Sequence, residues 1–146
     1  MGLAPWGVLG GGNFKTDAQR KETEGRNFGG PTDAAIAVSK VLEKIATSKN
    51  TIITSVALAY VFHKTPYVFP IIGGRKVSHL KGNIEALKLR LSEAEIEEIE
   101  DAYPFDIGFP QTMLGGPKGV KSPADVLLIR PAGKQEYVAP PKVCLC

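Results

Sequence analysis

Two cations, Arg75 and Lys76, follow two glycines, Gly73 and Gly74, in the stretch VFPIIGGRKVSHLKGNIEAL from Val68 to Leu87. A short apolar run leads into the glycines and a helical pattern leaves them. A strand ending in a Gly-Gly turn that opens a helix is suited to an anion. The first backbone N–H groups of a helix have no intrahelical acceptor, and the helix dipole favours negative charge there. Arg grips a phosphate through two parallel N–H donors, and Lys adds a compact charge. His79 lies one turn on and can donate. Asn83, a further turn along the same face, can both donate and accept. On this chemistry alone two readings stand level: an anion cradle, or a strand cap beside two solvated cations. His79 by itself reads as a surface or packing histidine, and His63, on an apolar helix, as a structural one.

A second glycine cluster stands at the start of the chain. GVLGGGNF holds four glycines between Gly7 and Gly12. Such a loop turns sharply or brings backbone close to a ligand. It lacks the G-x-G-x-x-G spacing with an acidic residue beyond, so no Rossmann domain is inferred.

The elements that must position these residues follow from the pattern. Gly2–Leu9 reads as a buried strand, and Lys15–Gly30, polar and aperiodic, as a mobile surface loop. Thr32 is placed as an N-cap with Asp33 in the first turn. Val38, Val41, Leu42 and Ile45 give that helix one apolar stripe, ending near Ser48–Asn50. SVALAYVFHK, Ser55–Lys64, is apolar nearly all round and predicts a heavily buried helix broken by Pro66. VFPII predicts a buried strand. Val77, Leu80, Ile84 and Leu87 make the next helical stripe, weakened by Gly82 at a cost of ~1 kcal/mol against Ala. Ser92 and Glu95 form a capping box, with Ile96, Ile99 and Tyr103 as the buried stripe and Pro104 as the stop. Beyond Phe105 the chain has no sustained period, and RPAGKQEYVAPPK reads as an extended tail.

Strands separated by helices imply a parallel α/β arrangement. Two parallel strands cannot cover both faces and both edges, so the sequence reads as a piece of a larger α/β fold.

Composition narrows the function classes. With 146 residues, 43% hydrophobic and 23% charged, the chain has globular values and room for one ordinary domain. A net charge of +3 is too small to argue for nucleic acid. No apolar run reaches the ~18 residues of a membrane helix. The start has no basic n-region, and Trp6 stands where a myristoylation pattern needs Ser or Thr. Cys144 and Cys146 are the two cysteines. They do not form a disulfide framework, and Val143 occupies the place of the prenylation cysteine. A cytoplasmic chain with a solvated tail is the expectation, and no metal site is expected.

GLAPWGVLGGGNF at Gly2–Phe14, then VFPIIGGRKVSHLKGNIEALKLRLSEAEIEEIE at Val68–Glu100, resembles the C-terminal part of an aldo-keto reductase. Within that family it is similar to the fungal aryl-alcohol dehydrogenase branch with its norsolorinic acid reductase-like members, and PFDIGFP at Pro104–Pro110 strengthens the branch assignment. The resemblance covers about residues 2–110, leaving 111–146 as an irregular tail. It implies a (β/α)8 TIM barrel represented by strands seven and eight with their helices, residues 1–110 being the NADP-binding portion. LAPWGV would be the seventh strand and VFPIIG the eighth, and barrels place phosphate sites in the loops after those strands.

The same resemblance sets Pro5, Trp6, Gly7, Val8 and Leu9 along the pyrophosphate and nicotinamide of NADP. It sets Gly73, Gly74, Arg75, Lys76, His79 and Asn83 around the adenosine 2′-phosphate. Two cations there favour NADP over NAD. The implied activity is NADP-dependent interconversion of aromatic or polyketide-like carbonyls and alcohols, in fungal secondary metabolism such as mycotoxin biosynthesis. The partners would be a small-molecule substrate, with no nucleic acid and no membrane. Two positions depart from the family: His79, where Arg or Gln is usual, and Gly82, where an acid usually meets the adenine.

The family's catalytic Tyr, Lys, Asp and His come from the first half of the barrel, and none of those motifs is present. Tyr60, Tyr67, Tyr103 and Tyr137 stand in other contexts. Met1 falls where the family chain runs on into the seventh strand, so a truncated or excerpted chain, inactive alone, is expected. A non-catalytic nucleotide-binding or interaction fragment is the alternative, and an unrelated small α/β binding domain is the third reading.

Overall fold

The computed structural model describes residues 1–21, 30–114, 126 and 131. The chain divides into two units, Met1–Tyr103 with the terminal Pro141–Cys146 and Pro104–Pro140. Among the described residues the first unit carries five α-helices: α1 (Asp17–Lys21), α2 (Asp33–Ser48), α3 (Ile53–Lys64), α4 (Val77–Glu85) and α5 (Glu93–Asp101).

The helix starts obey the sequence. Thr32 caps α2 by accepting from the Ala35 N–H at 3.2 Å. Ser92 and Glu95 complete the capping box of α5: the Ser92 hydroxyl accepts the Glu95 N–H at 3.2 Å, and the Glu95 carboxylate accepts the Ser92 N–H at 2.7 Å. Helix α2 ends at Ser48, and Asn50 takes a left-handed φ of 51° just beyond it. There the Thr51 N–H reaches back to the Ala46 carbonyl at 2.9 Å, which satisfies one of the last free acceptors.

The core lies between α2, α3 and α5. Leu42, Ile45, Ala46, Ile53, Val56, Ala57, Ala59, Leu91 and Ile99 form one buried cluster, with Leu9 and Phe14 packed against it. Helix α3, apolar on all sides, is the centre: Val56 and Ala59 are fully covered and Leu58 is 1% exposed. Helix α5 is tied to its neighbours by ion pairs. Lys44 meets Glu98 at 2.6 Å, Lys49 meets Glu95 at 3.0 Å, and Lys64 pairs with Glu100. Burial alone would raise the Glu95 carboxyl, but hydrogen bonds from Ser92 and Lys49 outweigh it and hold it below its ordinary value.

The two predicted strands are present only as a short parallel ribbon. Leu3 pairs with Val68 and Trp6 with Ile71 through isolated parallel bridges. Three backbone bonds hold it: Leu3 N–H to Tyr67 O at 2.9 Å, Phe69 N–H to Leu3 O at 2.7 Å, and Ile71 N–H to Pro5 O at 3.0 Å. The expectation that both strands are buried is corrected. Trp6 is 85% exposed, Phe69 65% and Ile71 56%. A two-stranded parallel pair has no further strand at its edges and no second layer over both faces, so its side chains stay in solvent.

Other expectations also shift. The polar loop at Lys15–Gly30 begins with α1, and residues 22–29 lie outside the described residues. Helix α3 starts two residues before Ser55, at Ile53. Helix α5 stops at Asp101, before Pro104, and leaves Tyr103 exposed beyond its buried Ile99. The stripe Val77, Leu80, Ile84 and Leu87 is helical over α4 and the following 3₁₀ turn Ala86–Lys88, but it faces outward. A 3₁₀ turn at Gln111–Leu114 interrupts the segment read as irregular. Cys144 and Cys146 lie outside the described residues.

Candidate functional site

Parallel pairing sends both chains out of the ribbon at the same end. Trp6 and Ile71 are the last bridged pair. The Gly7–Gly12 loop and the Gly73–Lys76 turn therefore leave side by side. Gly7 has φ 77°, a value costly for any residue with a Cβ, and its carbonyl accepts the Gly10 N–H at 2.8 Å. That closes a tight turn directly after Trp6. Pro5, Val8 and Leu9 are half-buried while Trp6 and Gly7 are exposed. Leu9 anchors this loop in the helical core.

The cationic turn leads straight into α4. Gly73, Gly74, Arg75, Lys76 and His79 are all exposed. Lys76 is the N-cap residue of α4, and no side chain caps that helix start. An uncapped first turn offers its amides to an acceptor from outside. His79 folds back over the turn: its Nδ1 accepts the Arg75 N–H at 3.4 Å. A Cβ on Gly74 would stand 2.8 Å from the His79 Cβ, so a bare backbone is what lets the ring come this close. Two exposed cations, an uncapped helix start and a glycine cradle suit a phosphate group, and these residues fit the charged end of a nucleotide.

Asn83 is placed differently from the others. It is 7% exposed, on the face of α4 that turns toward α3. Gly82 lies beside it at the helix crossing. A Cβ there would meet the Ile52 Cδ1 at 2.7 Å, and the buried Ser55 hydroxyl donates to the Gly82 carbonyl at 2.9 Å. Gly82 thus serves close helix packing. The structure brings Pro5 to Leu9 and Gly73 to His79 to one end of the ribbon and turns Asn83 inward.

Two polar arrangements were not foreseen as such. His63 donates from Nδ1 to the Ala59 carbonyl at 2.7 Å and accepts the Leu91 N–H on Nε2 at 3.2 Å, a set of roles that requires the neutral ring. The expectation of a structural histidine holds, and its task is to join α3 to the segment before α5. Tyr60 donates to the Glu100 carboxylate at 3.1 Å, beside the Lys64–Glu100 pair. Burial, with the neighbouring Glu100 charge, pushes the Tyr60 hydroxyl up to about 12, which makes it a poor proton donor at neutral pH. Tyr60 and Lys64 sit four apart on one helix, which the sequence shows; their common partner does not follow from it. Among the described residues no cluster of His, Cys, Asp or Glu is arranged to hold a metal, and no helix is long and apolar enough to cross a membrane.

The aldo/keto reductase family pattern matches residues 1–104. Norsolorinic acid reductase B of Dothistroma septosporum is 53% identical over 97% of the chain and 39% of its own length. Norsolorinic acid reductase A of Aspergillus parasiticus is 58% identical over 78% of the chain and 29% of its own length. A putative aryl-alcohol dehydrogenase of Saccharomyces cerevisiae is 44% identical over 87% of the chain and 90% of its own length. The chain thus spans well under half of the two reductases. A family match over most of the chain, together with relatives this similar, assigns it: the chain belongs to the aldo/keto reductase family, a family of oxidoreductases with a TIM-barrel fold.

Proposed function

We propose that the chain supplies the NADP-binding, C-terminal portion of an aldo/keto reductase barrel, with the ribbon segments as strands seven and eight. The activity of the whole barrel would be interconversion of aromatic or polyketide-like carbonyls and alcohols in the cytoplasm. The names of the relatives, norsolorinic acid reductase and aryl-alcohol dehydrogenase, support that substrate class. One observation carries the reading: the parallel bridge Trp6–Ile71 sends the glycine loop and the cationic turn out at the same end. When bound, NADPH supplies the hydride. Pro5, Trp6, Gly7, Val8 and Leu9 would run along its pyrophosphate and nicotinamide. Gly73, Gly74, Arg75, Lys76 and His79 would surround its 2′-phosphate, with Arg75 and Lys76 neutralising the charge that distinguishes NADP from NAD, while Asn83, turned toward α3, would stand apart from it.

No residue of the chain is assigned the proton transfer, because the Tyr, Lys, Asp and His motifs of the family are not matched. General acid catalysis is worth typically ~10²–10⁴-fold, so the chain alone is expected to show no NADPH oxidation with veratraldehyde. A second reading, a non-catalytic nucleotide-binding paralogue, draws support from the yeast relative, which the chain matches over 90% of its length.

Titration with NADPH and NADH tests the site. NADPH is expected to bind more tightly, and the double variant Arg75→Ala, Lys76→Ala is expected to lose that preference by about tenfold or more, since charge-assisted hydrogen bonds contribute ~1.5–3 kcal/mol. Equal affinity for both nucleotides in the parent chain would refute the assignment.

A further inference from the structure

The ring of His79 lies over the cationic turn. A Cβ on Gly74 would stand 2.8 Å from the His79 Cβ and 3.5 Å from its Nδ1, and that Nδ1 accepts the Arg75 N–H at 3.4 Å. A ring nitrogen accepts only while it carries no proton. In this state His79 occupies one of the amide donors of the turn and brings no charge to it. With a proton on each nitrogen the ring can only donate. It must then release the Arg75 N–H, and it becomes a further cation in a turn that already holds Arg75 and Lys76.

The groups around the ring decide what each state does. In the turn the charged neighbours are Arg75 and Lys76, and the next charge along α4 is Lys81. From the α3 side the crossing presents Ile52 and Ser55, neither of which titrates. Lys and Arg side chains keep their charge across the range of about pH 5–8 in which histidine changes its own. An anion seated among these cations adds the opposite charge, which favours the protonated ring.

We propose that His79 makes phosphate capture at this turn proton-linked: the neutral ring covers the Arg75 amide, and the protonated ring yields that amide to the phosphate and joins it as a third cation. The proton comes from solvent and adds to Nδ1; no bond of the nucleotide changes. The inference rests on the reading of the turn as the 2′-phosphate site and adds a regulation to it. Linkage fixes the sign. Binding takes up a proton, so His79 strengthens binding as pH falls. The 2′-phosphate works the other way, because it gains its own second proton near about pH 6 and loses charge. That second effect is common to every variant of the chain, so a comparison between variants isolates the histidine.

The test measures affinity for NADP and NAD at about pH 8 and about pH 6, on either side of the usual histidine titration, for the full chain, His79→Gln and His79→Arg. NAD lacks the 2′-phosphate and cancels what pH does elsewhere. Divided by that of His79→Gln, the parent's preference for NADP is expected to rise at least about fivefold from the higher pH to the lower, as a gained charge-assisted hydrogen bond would give. His79→Arg, whose charge is fixed, is expected to show no such rise. Calorimetry in two buffers of unlike ionisation enthalpy gives a second readout: the parent should take up more protons on binding NADP than His79→Gln does. His79 is exposed, so both variants should keep the helical far-UV signal of the parent. The same pH course in parent and His79→Gln, or equal proton uptake, would overturn the inference and leave the phosphate site standing. Loss of the helical signal would make His79 a structural residue and overturn it too. Equal affinity for NADP and NAD in all three proteins at both pH values would remove the site itself.

Discussion

The layer of α2, α3 and α5 and the layer of ribbon and α4 are written in similarly apolar sequence, yet only the first is covered. Leu58 on α3 is 1% exposed; Leu80 on α4 is 57% exposed. Both are leucines on helices whose pattern asks for burial. The difference lies in partners. Helix α3 packs against α2, α4 and the adjoining 3₁₀ turn, whereas among the described residues the outward side of α4 is left exposed. An apolar stripe states which face wants cover; it does not state that the same chain provides it.

The largest expected effect sharpens that contrast. Leu58→Ala should cost ~2–5 kcal/mol, as large-to-small changes in a packed core do, and urea unfolding would read it. His63→Leu comes next. It would leave the Leu91 N–H without its acceptor, and an unsatisfied buried donor costs ~1–3 kcal/mol. Gln at position 63 should recover part of that loss, because it can still accept from Leu91. The smallest effect is expected on the outward face of α4: Leu80→Ala should move the stability of the chain by no more than ~0.5 kcal/mol. A cost at Leu80 close to that at Leu58 would break the comparison.

Local chemistry was the most legible part of the sequence. The Thr32 cap and the Ser92–Glu95 box depend on residues within three positions of each other, so the sequence alone fixes them. The burial of α3 was legible because it is apolar on every side and has no face to offer solvent. The ribbon was half legible. Its pairing and direction follow from strand–helix alternation, while its exposure depends on the absence of neighbours along its edges.

At the candidate site, the outlet loops and their cations were visible as types and spacings. The inward turn of Asn83 was not, because it depends on how Gly82 lets α4 approach Ile52 and Ser55. The joining role of His63 was hidden for the same reason: its partner Leu91 lies far along the chain. Family resemblance supplied the expectation of a barrel and of a nucleotide cofactor, which helical period and charge could not.

Hydrogen–deuterium exchange on the isolated chain, resolved by residue, tests the division most directly. The amides of Val56 and Leu58 should exchange only on global unfolding, while those of Leu3, Phe69 and Ile71 should exchange at least about a hundredfold faster through local opening. Equal protection in the two regions would contradict the division into a covered helical core and an exposed ribbon.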